Sequence, residues 1–190
     1  MKTLVLSMAI MLTAGAVVRS DERETGLCPS SYDPPASEAD RVGFPQNYSK
    51  TFEVLRTVEK PEKHQVVTVF GNEQAATVRR VDDLPYPYGS VIVMETAGTL
   101  KDEQGKPRLD DAGHLRKGDI AGLHVMRREK GFGEAYGKNR TGEWEYVEYR
   151  ADGSHLTPPK KSFACAECHV KAGKERDFVY RGQLPDKIAP

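Results

Sequence analysis

The chain has 190 residues, of which 38% are hydrophobic and 29% are charged, so it holds enough apolar material for one modest core. Its 28 lysine and arginine residues balance its 28 aspartate and glutamate residues. A neutral chain exerts no long-range attraction on nucleic acid or on an anionic membrane surface, and this argues against both as partners.

The N-terminus predicts export. Lys2 precedes an apolar run from Leu4 to Val18, which contains the small residues Ala14-Gly15-Ala16 that a signal peptidase accepts. The run is shorter than the ~20 residues of a transmembrane helix, although an uncleaved membrane anchor is the alternative. We therefore predict a signal peptide over residues 1–20 and a mature protein in the periplasm, with no membrane contact after cleavage.

One domain is expected after cleavage. Residues 21–41 carry Asp, Glu, Pro and Ser with little periodicity and are predicted to be a linker, while residues 42–190 form the predicted domain. The first predicted element of this domain is a helix over residues 44–60, with Asn47 as a candidate cap. Its apolar residues recur at helical spacing: Tyr48, Phe52, Leu55 and Val58.

The middle of the domain is predicted to be mostly β. Short β-branched, alternating or aromatic segments predict strands at residues 64–72, 90–96, 119–129 and 143–151. A short helix is predicted at residues 72–81. Segments rich in Gly, Pro or Asp predict loops at residues 99–117, 131–142 and 154–162.

The last predicted element is a short helix over residues 163–172. The fold class is therefore α+β: a mainly antiparallel β-sheet with an N-terminal helix and a C-terminal helix. Two of the three cysteines, Cys165 and Cys168, lie in this C-terminal helix and are followed directly by His169.

The C-x-x-C-H motif is the attachment site of a c-type haem. Each thiol would add to one vinyl group of the porphyrin, and the adjacent histidine would ligate the iron. We predict one covalently attached haem c, bound through Cys165 and Cys168, with His169 as the metal ligand. The C-terminal helix is thus expected to bear the haem. This attachment takes place outside the cytoplasm, in agreement with the signal peptide.

Three other interpretations of the motif are weaker. A zinc site needs four ligands, and only Cys28 and scattered histidines would complete one. A thioredoxin-like dithiol is expected after a strand in a βαβ unit, early in its domain. A chance disulfide leaves His169 unexplained. The role of Cys28 stays open.

The sixth iron position has no obvious ligand in the sequence. None of the five methionines follows Cys168, which excludes the usual layout of the small electron-carrying cytochromes. The strand content argues against a four-helix-bundle haem protein. An open or weakly filled distal site remains.

Five segments within residues 44–185 occur in a telling order: "FPQNY", "YGSVIVMET", "KGDIAGLHV", "GEWEYVEY" and, most specific of them, "CAECHVKAGKERDFVY". Together they resemble the cytochrome P-460 family, which includes the β-type cytochromes c′. The resemblance implies a mainly antiparallel β fold, a homodimer and a c-type haem with an open sixth site. Some members oxidise hydroxylamine, and others bind nitric oxide or related small ligands.

The resemblance also implies a distal wall. Enzyme members carry a lysine that cross-links to the porphyrin, and Met94 stands at the matching position, so no cross-link is expected. Val67 matches a distal arginine and His124 a distal carboxylate, with Met126 on the same strand face as His124. Arg181 is placed near the proximal side. The competing interpretations are that Met94 is a core residue and that His124 is a hydrogen-bonded structural histidine.

Three functions follow as expectations. The first is the binding of small neutral ligands such as nitric oxide or carbon monoxide at an apolar distal wall. The second is an oxidoreductase acting on hydroxylamine or a related nitrogen compound, or a peroxidase-like enzyme, with His124 as the distal acid or base. The third is electron transfer, with His124 or Met94 as the sixth ligand and another cytochrome as the redox partner.

Overall fold

The structure, a computed structural model, describes residues 38–181. The predicted signal peptide, Cys28 and most of the predicted linker lie outside the described residues, as do residues 182–190 of the predicted domain. Asp40 and Arg41, the last two residues of that linker, contact the sheet: the Tyr149 hydroxyl donates to Asp40 over 2.7 Å, and Arg41 forms an ion pair with Glu145.

A six-stranded antiparallel sheet forms the centre of the described residues, and each strand pairs with the next along the chain. The strands are β1 (Glu53–Lys60), β2 (Gln65–Gly71), β3 (Val91–Thr99), β4 (Lys117–Arg128), β5 (Trp144–Tyr149) and β6 (His155–Thr157). The four predicted strands correspond to β2, β3, β4 and β5 and are confirmed. Their β-branched and aromatic side chains suit a pleated surface that is buried on both faces.

The helices of the described residues are short. The α-helices are α1 (Tyr48–Thr51), α2 (Glu73–Ala76) and α3 (Phe163–Val170). The 3-10 helices are Pro61–Lys63, Val81–Asp83, Glu134–Asn139, Pro159–Lys161 and Lys174–Arg176. Helix α2 lies within its predicted segment, and the Asn72 side chain caps it by accepting from the Ala75 amide over 3.1 Å. No helix in residues 38–181 is long and apolar enough to cross a membrane.

The prediction of an N-terminal helix over residues 44–60 is wrong for most of its length. Only α1 is helical there, the Asn47 side chain makes no capping bond, and the segment continues as β1. The cause is a β-bulge: Val54 pairs with Phe70 and Arg56 with Val69, so Leu55 is an extra residue. A bulge interrupts the two-residue alternation of a strand, which is why the apolar residues have a spacing of three that resembles a helix.

Two predicted loops contain regular structure. Residues 154–162 include the short strand β6, and residues 131–142 include a 3-10 helix. The polar segment between β3 and β4 continues as a hairpin-like extension, with isolated bridges from Lys101 to Pro107 and from Leu109 to Leu115.

The sheet has two faces with different coverings. We call one the closed face: it packs against Val42, Phe44, Tyr48 and Phe52 from the N-terminal segment. We call the other the helix face: its side chains Ile92, Met126, Tyr146 and Trp144 form a cluster with Ala166 of α3 and Val179. The motif helix therefore lies over one side of the sheet only.

Candidate functional site

A cavity of about 430 Å³ lies on the helix face, between the sheet and the C-terminal segment that begins with α3. Most of its lining is aliphatic or aromatic. The lining side chains that carry sulfur, a charge, an imidazole or a hydroxyl are Met94, His124, Met126, Tyr146, Glu148, Thr157, Cys165, Cys168, His169, Tyr180 and Arg181. The structure thus brings the motif together with two residues expected at a distal wall, Met94 and His124.

One straight row of residues crosses the sheet along this cavity. Val69 pairs with Met94, Met94 with His124, His124 with Glu148, and Glu148 with Thr157. All five line the cavity. Directly opposite residues on neighbouring strands project from the same face, so the register itself assembles this wall from five strands.

His124 and Glu148 form a hydrogen-bonded pair in this row. His124 Nδ1 lies 2.6 Å from Glu148 Oε1, and the Thr157 hydroxyl donates to Glu148 Oε2. The bond from His124 lowers the pKa of Glu148 below its ordinary value, although burial opposes this shift. An ionised carboxylate only accepts, so His124 Nδ1 carries the proton and Nε2 is the ring nitrogen that remains for a ligand.

The two motif cysteines are free thiols on α3. Burial raises the pKa of Cys165 to about 12, whereas Cys168 is exposed. Reactive dithiols need a lowered pKa, because the thiolate is the nucleophile. The environment of Cys165 therefore disfavours the redox-dithiol interpretation of the motif.

The ring of His169 is held in one orientation. Its Nδ1 lies 2.7 Å from the carbonyl oxygen of Phe178, and its ring packs against Tyr146 at 4.6 Å and Tyr180 at 5.4 Å between ring centroids. A carbonyl oxygen only accepts, so Nδ1 carries the proton and Nε2 has the free lone pair. Burial lowers the pKa of His169, which further favours the neutral ring that binds metals.

A left-handed turn after α3 places the Phe178 carbonyl beside His169. Asp177 has a φ of 49° and Phe178 a φ of 60°, a conformation that is rare for a bulky residue. The Asp177 carboxylate holds the turn by accepting from the Tyr86 amide over 3.0 Å. Strained backbone of this kind persists where the surrounding structure imposes it. The turn thereby supplies a carbonyl oxygen for His169 Nδ1, and a metal-ligating histidine usually has such a partner for the ring nitrogen that does not bind the metal.

Val67 does not line the cavity, although it was expected at the distal wall. It is buried in β2, and Val69, two residues further on, lies in the cavity wall instead. Residues two apart on a strand share a face, so Val67 and Val69 project from the same side of the sheet. Met126 also lines the cavity and is buried.

A family model, Cytochrome P460, matches residues 45–181, which is well over half of the chain. The chain belongs to the cytochrome P460 family. The expected membership is thereby confirmed, and it implies a haem cofactor. No curated protein matches the chain.

The residues of this cytochrome P460 chain fit a haem. Its cavity is mostly apolar, as a porphyrin ring requires, and it presents two free thiols beside a histidine whose Nε2 is unprotonated. The matched segment contains the whole row across the sheet as well as the motif.

Glu148 and Thr157 were not identified from the sequence of this cytochrome P460. A signal was present for Glu148, because "EWEYVEY" alternates and places Glu148 on the same face as Trp144 and Tyr146. Thr157 had no such signal, since the three-residue strand β6 was predicted as loop.

Proposed function

We propose that the chain is an exported mono-haem c-type cytochrome whose distal cavity binds small neutral ligands such as nitric oxide. Cys165 and Cys168 would form the thioether links, and His169 would ligate the iron. The observation that carries the proposal is the bond from His169 Nδ1 to the Phe178 carbonyl, because it leaves Nε2 free beside two thiols in an apolar cavity. A periplasmic homodimer is part of the proposal.

The haem iron, when bound, supplies the coordination site for a diatomic ligand. The cavity wall supplies the surroundings, with Met94 and His124 opposite each other on β3 and β4. The aliphatic lining around them favours neutral ligands over ions. His124 would donate a hydrogen bond to the bound ligand when its Nε2 is protonated.

We also propose that the haem carries no lysine cross-link. Strand β3 has the sequence "VIVMETAGT", without lysine, and no lysine is among the described residues that line the cavity. Met94 lies in the cavity wall, and the resemblance matches it to the position at which enzyme members carry the cross-linking lysine.

The alternative is an oxidoreductase acting on hydroxylamine or a related nitrogen compound, or a peroxidase-like enzyme. The pair of His124 and Glu148 favours it, because an imidazole held by a carboxylate is a competent acid or base. A second alternative is electron transfer to another cytochrome, with His124 or Met94 as sixth ligand, since both lie in the cavity with His169.

The test is expression in a host that matures c-type cytochromes. We expect export, a gain in mass of one haem that survives denaturation, and a five-coordinate high-spin spectrum that changes when nitric oxide is added. A six-coordinate low-spin spectrum in both oxidation states would favour electron transfer. A ferrous band shifted to the red of normal haem would indicate a cross-link, and turnover of hydroxylamine would favour the enzyme.

A further inference from the structure

Arg181 is a buried cation on the wall of the cavity. It is 6% exposed, and its Nη1 donates to the Val78 carbonyl and, over 3.3 Å, to the Tyr86 hydroxyl. Its Nε has no hydrogen-bond partner, and within residues 38–181 no carboxylate lies within ion-pair distance of it. A buried charge without a counter-ion is costly, so the site is incomplete as it stands.

A second arginine beside Tyr86, Arg128, also has a buried Nε without a hydrogen-bond partner, but it differs from Arg181 in its counter-ions. Arg128 donates to the Tyr86 carbonyl and is also largely buried, but it lies 3.6 Å from Asp177 and 3.9 Å from Glu143. Two carboxylates therefore neutralise Arg128, which does not line the cavity. Arg181 lines the cavity and has no carboxylate within ion-pair distance among residues 38–181, so a carboxylate bound in the cavity would have a cation to pair with.

Arg181 and the two motif cysteines all line the cavity. The Arg181 guanidinium is fixed by Val78 and Tyr86, neither of which lies in α3.

We propose that Arg181 binds a propionate carboxylate of the haem. The vinyl and propionate groups of the porphyrin lie on opposite edges of the ring, so attachment at Cys165 and Cys168 would direct the carboxylates away from the two cysteines. Arg181 is a buried cation in the wall of the same cavity. The guanidinium would supply the charge and, through Nε, a donor to the carboxylate. This inference rests on the proposed covalent haem.

The experiment compares Arg181→Gln, Arg181→Lys and the matched control Arg128→Gln in the haem-loaded protein. We expect Arg181→Gln to shift the propionate-bending band in the resonance Raman spectrum and to lower the midpoint potential. The potential falls because removing a cation, and leaving the propionate unneutralised, both favour the ferric state. Arg181→Lys should retain the potential but still shift the band, because an ammonium lacks the planar fork. Arg128→Gln should leave the propionate band unmoved, because Arg128 does not line the cavity.

The inference is overturned if the band stays unmoved in both Arg181 variants, or if Arg128→Gln moves it equally. If Arg181→Gln does not fold, the propionate-bending band of Arg181→Lys alone tests the inference. A free anion from solution is the other source of a counter-ion for Arg181, and nitrite is the probe for it. If the wild type responds to nitrite and Arg181→Gln does not, Arg181 binds small anions and the propionate inference is overturned. A colourless protein would instead overturn the proposed function, since no propionate band would exist.

Discussion

Two neighbouring rows of residues cross the sheet and face opposite sides. On the closed face, Phe70, Val93, Val125 and Val147 pair in sequence and are at most 5% exposed. One residue away on each strand lies the row that lines the cavity, in which Met94 is 36% exposed. Successive side chains of a strand point to opposite faces, so a single-residue step turns a side chain from the closed face to the helix face, which carries the cavity.

The carboxylates of the two faces differ in the same way. Glu95 on the closed face is 1% exposed, accepts from the Tyr48 hydroxyl and forms an ion pair with Lys117. Glu148 on the helix face is paired with His124, whose side chain is 43% exposed. The closed face uses its polar contacts to complete a core, whereas the helix face keeps a titratable pair accessible to a ligand.

The largest expected effect tests whether the helix face is built around a haem. Replacing both Cys165 and Cys168 by alanine should reduce covalently bound haem to background, because no thiol remains to add to the vinyl groups. Haem retained after denaturation and acid–acetone extraction is the measurement.

Cys28→Ala is the control for this double variant and should keep its haem. Haem that remains covalently bound after removal of both motif thiols would contradict the proposed attachment and leave the cavity without an assigned ligand.

The second prediction compares packing on the two faces. Leu123→Ala on the closed face, where Leu123 is 1% exposed, should lower the free energy of unfolding by about 2–5 kcal/mol through a cavity in the core. Met94→Ala removes a side chain of similar size from the cavity wall and should cost less than about 1 kcal/mol. Urea unfolding measures both. Equal losses would show that Met94 is an ordinary core residue.

The third prediction concerns ligand affinity and uses two similar histidines. His124 and His155 are 43% and 41% exposed, and each pairs with a carboxylate, but only His124 lines the cavity. His124→Ala should change nitric oxide affinity roughly tenfold, the value of one hydrogen bond. His155→Ala should leave it unchanged. Equal nitric oxide affinities of the two variants in a ligand titration would show that His124 does not contact the bound ligand.

The smallest expected effect is the pH dependence contributed by Asp40. Burial alone would raise its pKa, but hydrogen bonds from Gly43, His155 and Tyr149 lower it below the ordinary value of 3.8. The native state thus binds the proton more weakly than the unfolded chain, so the stabilisation is complete above about pH 5 and is lost as the pH falls through the native pKa.

Asp40→Asn should therefore flatten the fall in stability between about pH 5 and about pH 3 by less than about 1 kcal/mol, since Asp40 is partly exposed. Thermal unfolding across this range is the measurement. An unchanged slope would show that the contacts of Asp40 contribute nothing to folding.

Local patterns in the sequence determined much of the architecture. The β-branched and aromatic runs predicted four of the six strands, and the C-x-x-C-H spacing alone identified Cys165, Cys168 and His169 as the candidate haem-attachment residues. The alternation in β4 also places His124 and Met126 on one face. These features depend on residues close together in the chain, where spacing alone fixes which side chains share a helix turn or a strand face.

Only the tertiary structure decided the remaining features of the site. The pairing with β2 makes residues 53–60 a strand and places the bulge within it. The pair of His124 and Glu148 depends on the register of β4 and β5. Arg181 reaches the Val78 carbonyl across 103 residues of chain. Spacing within one segment carries no information about such contacts, because they arise only when folding brings distant segments together.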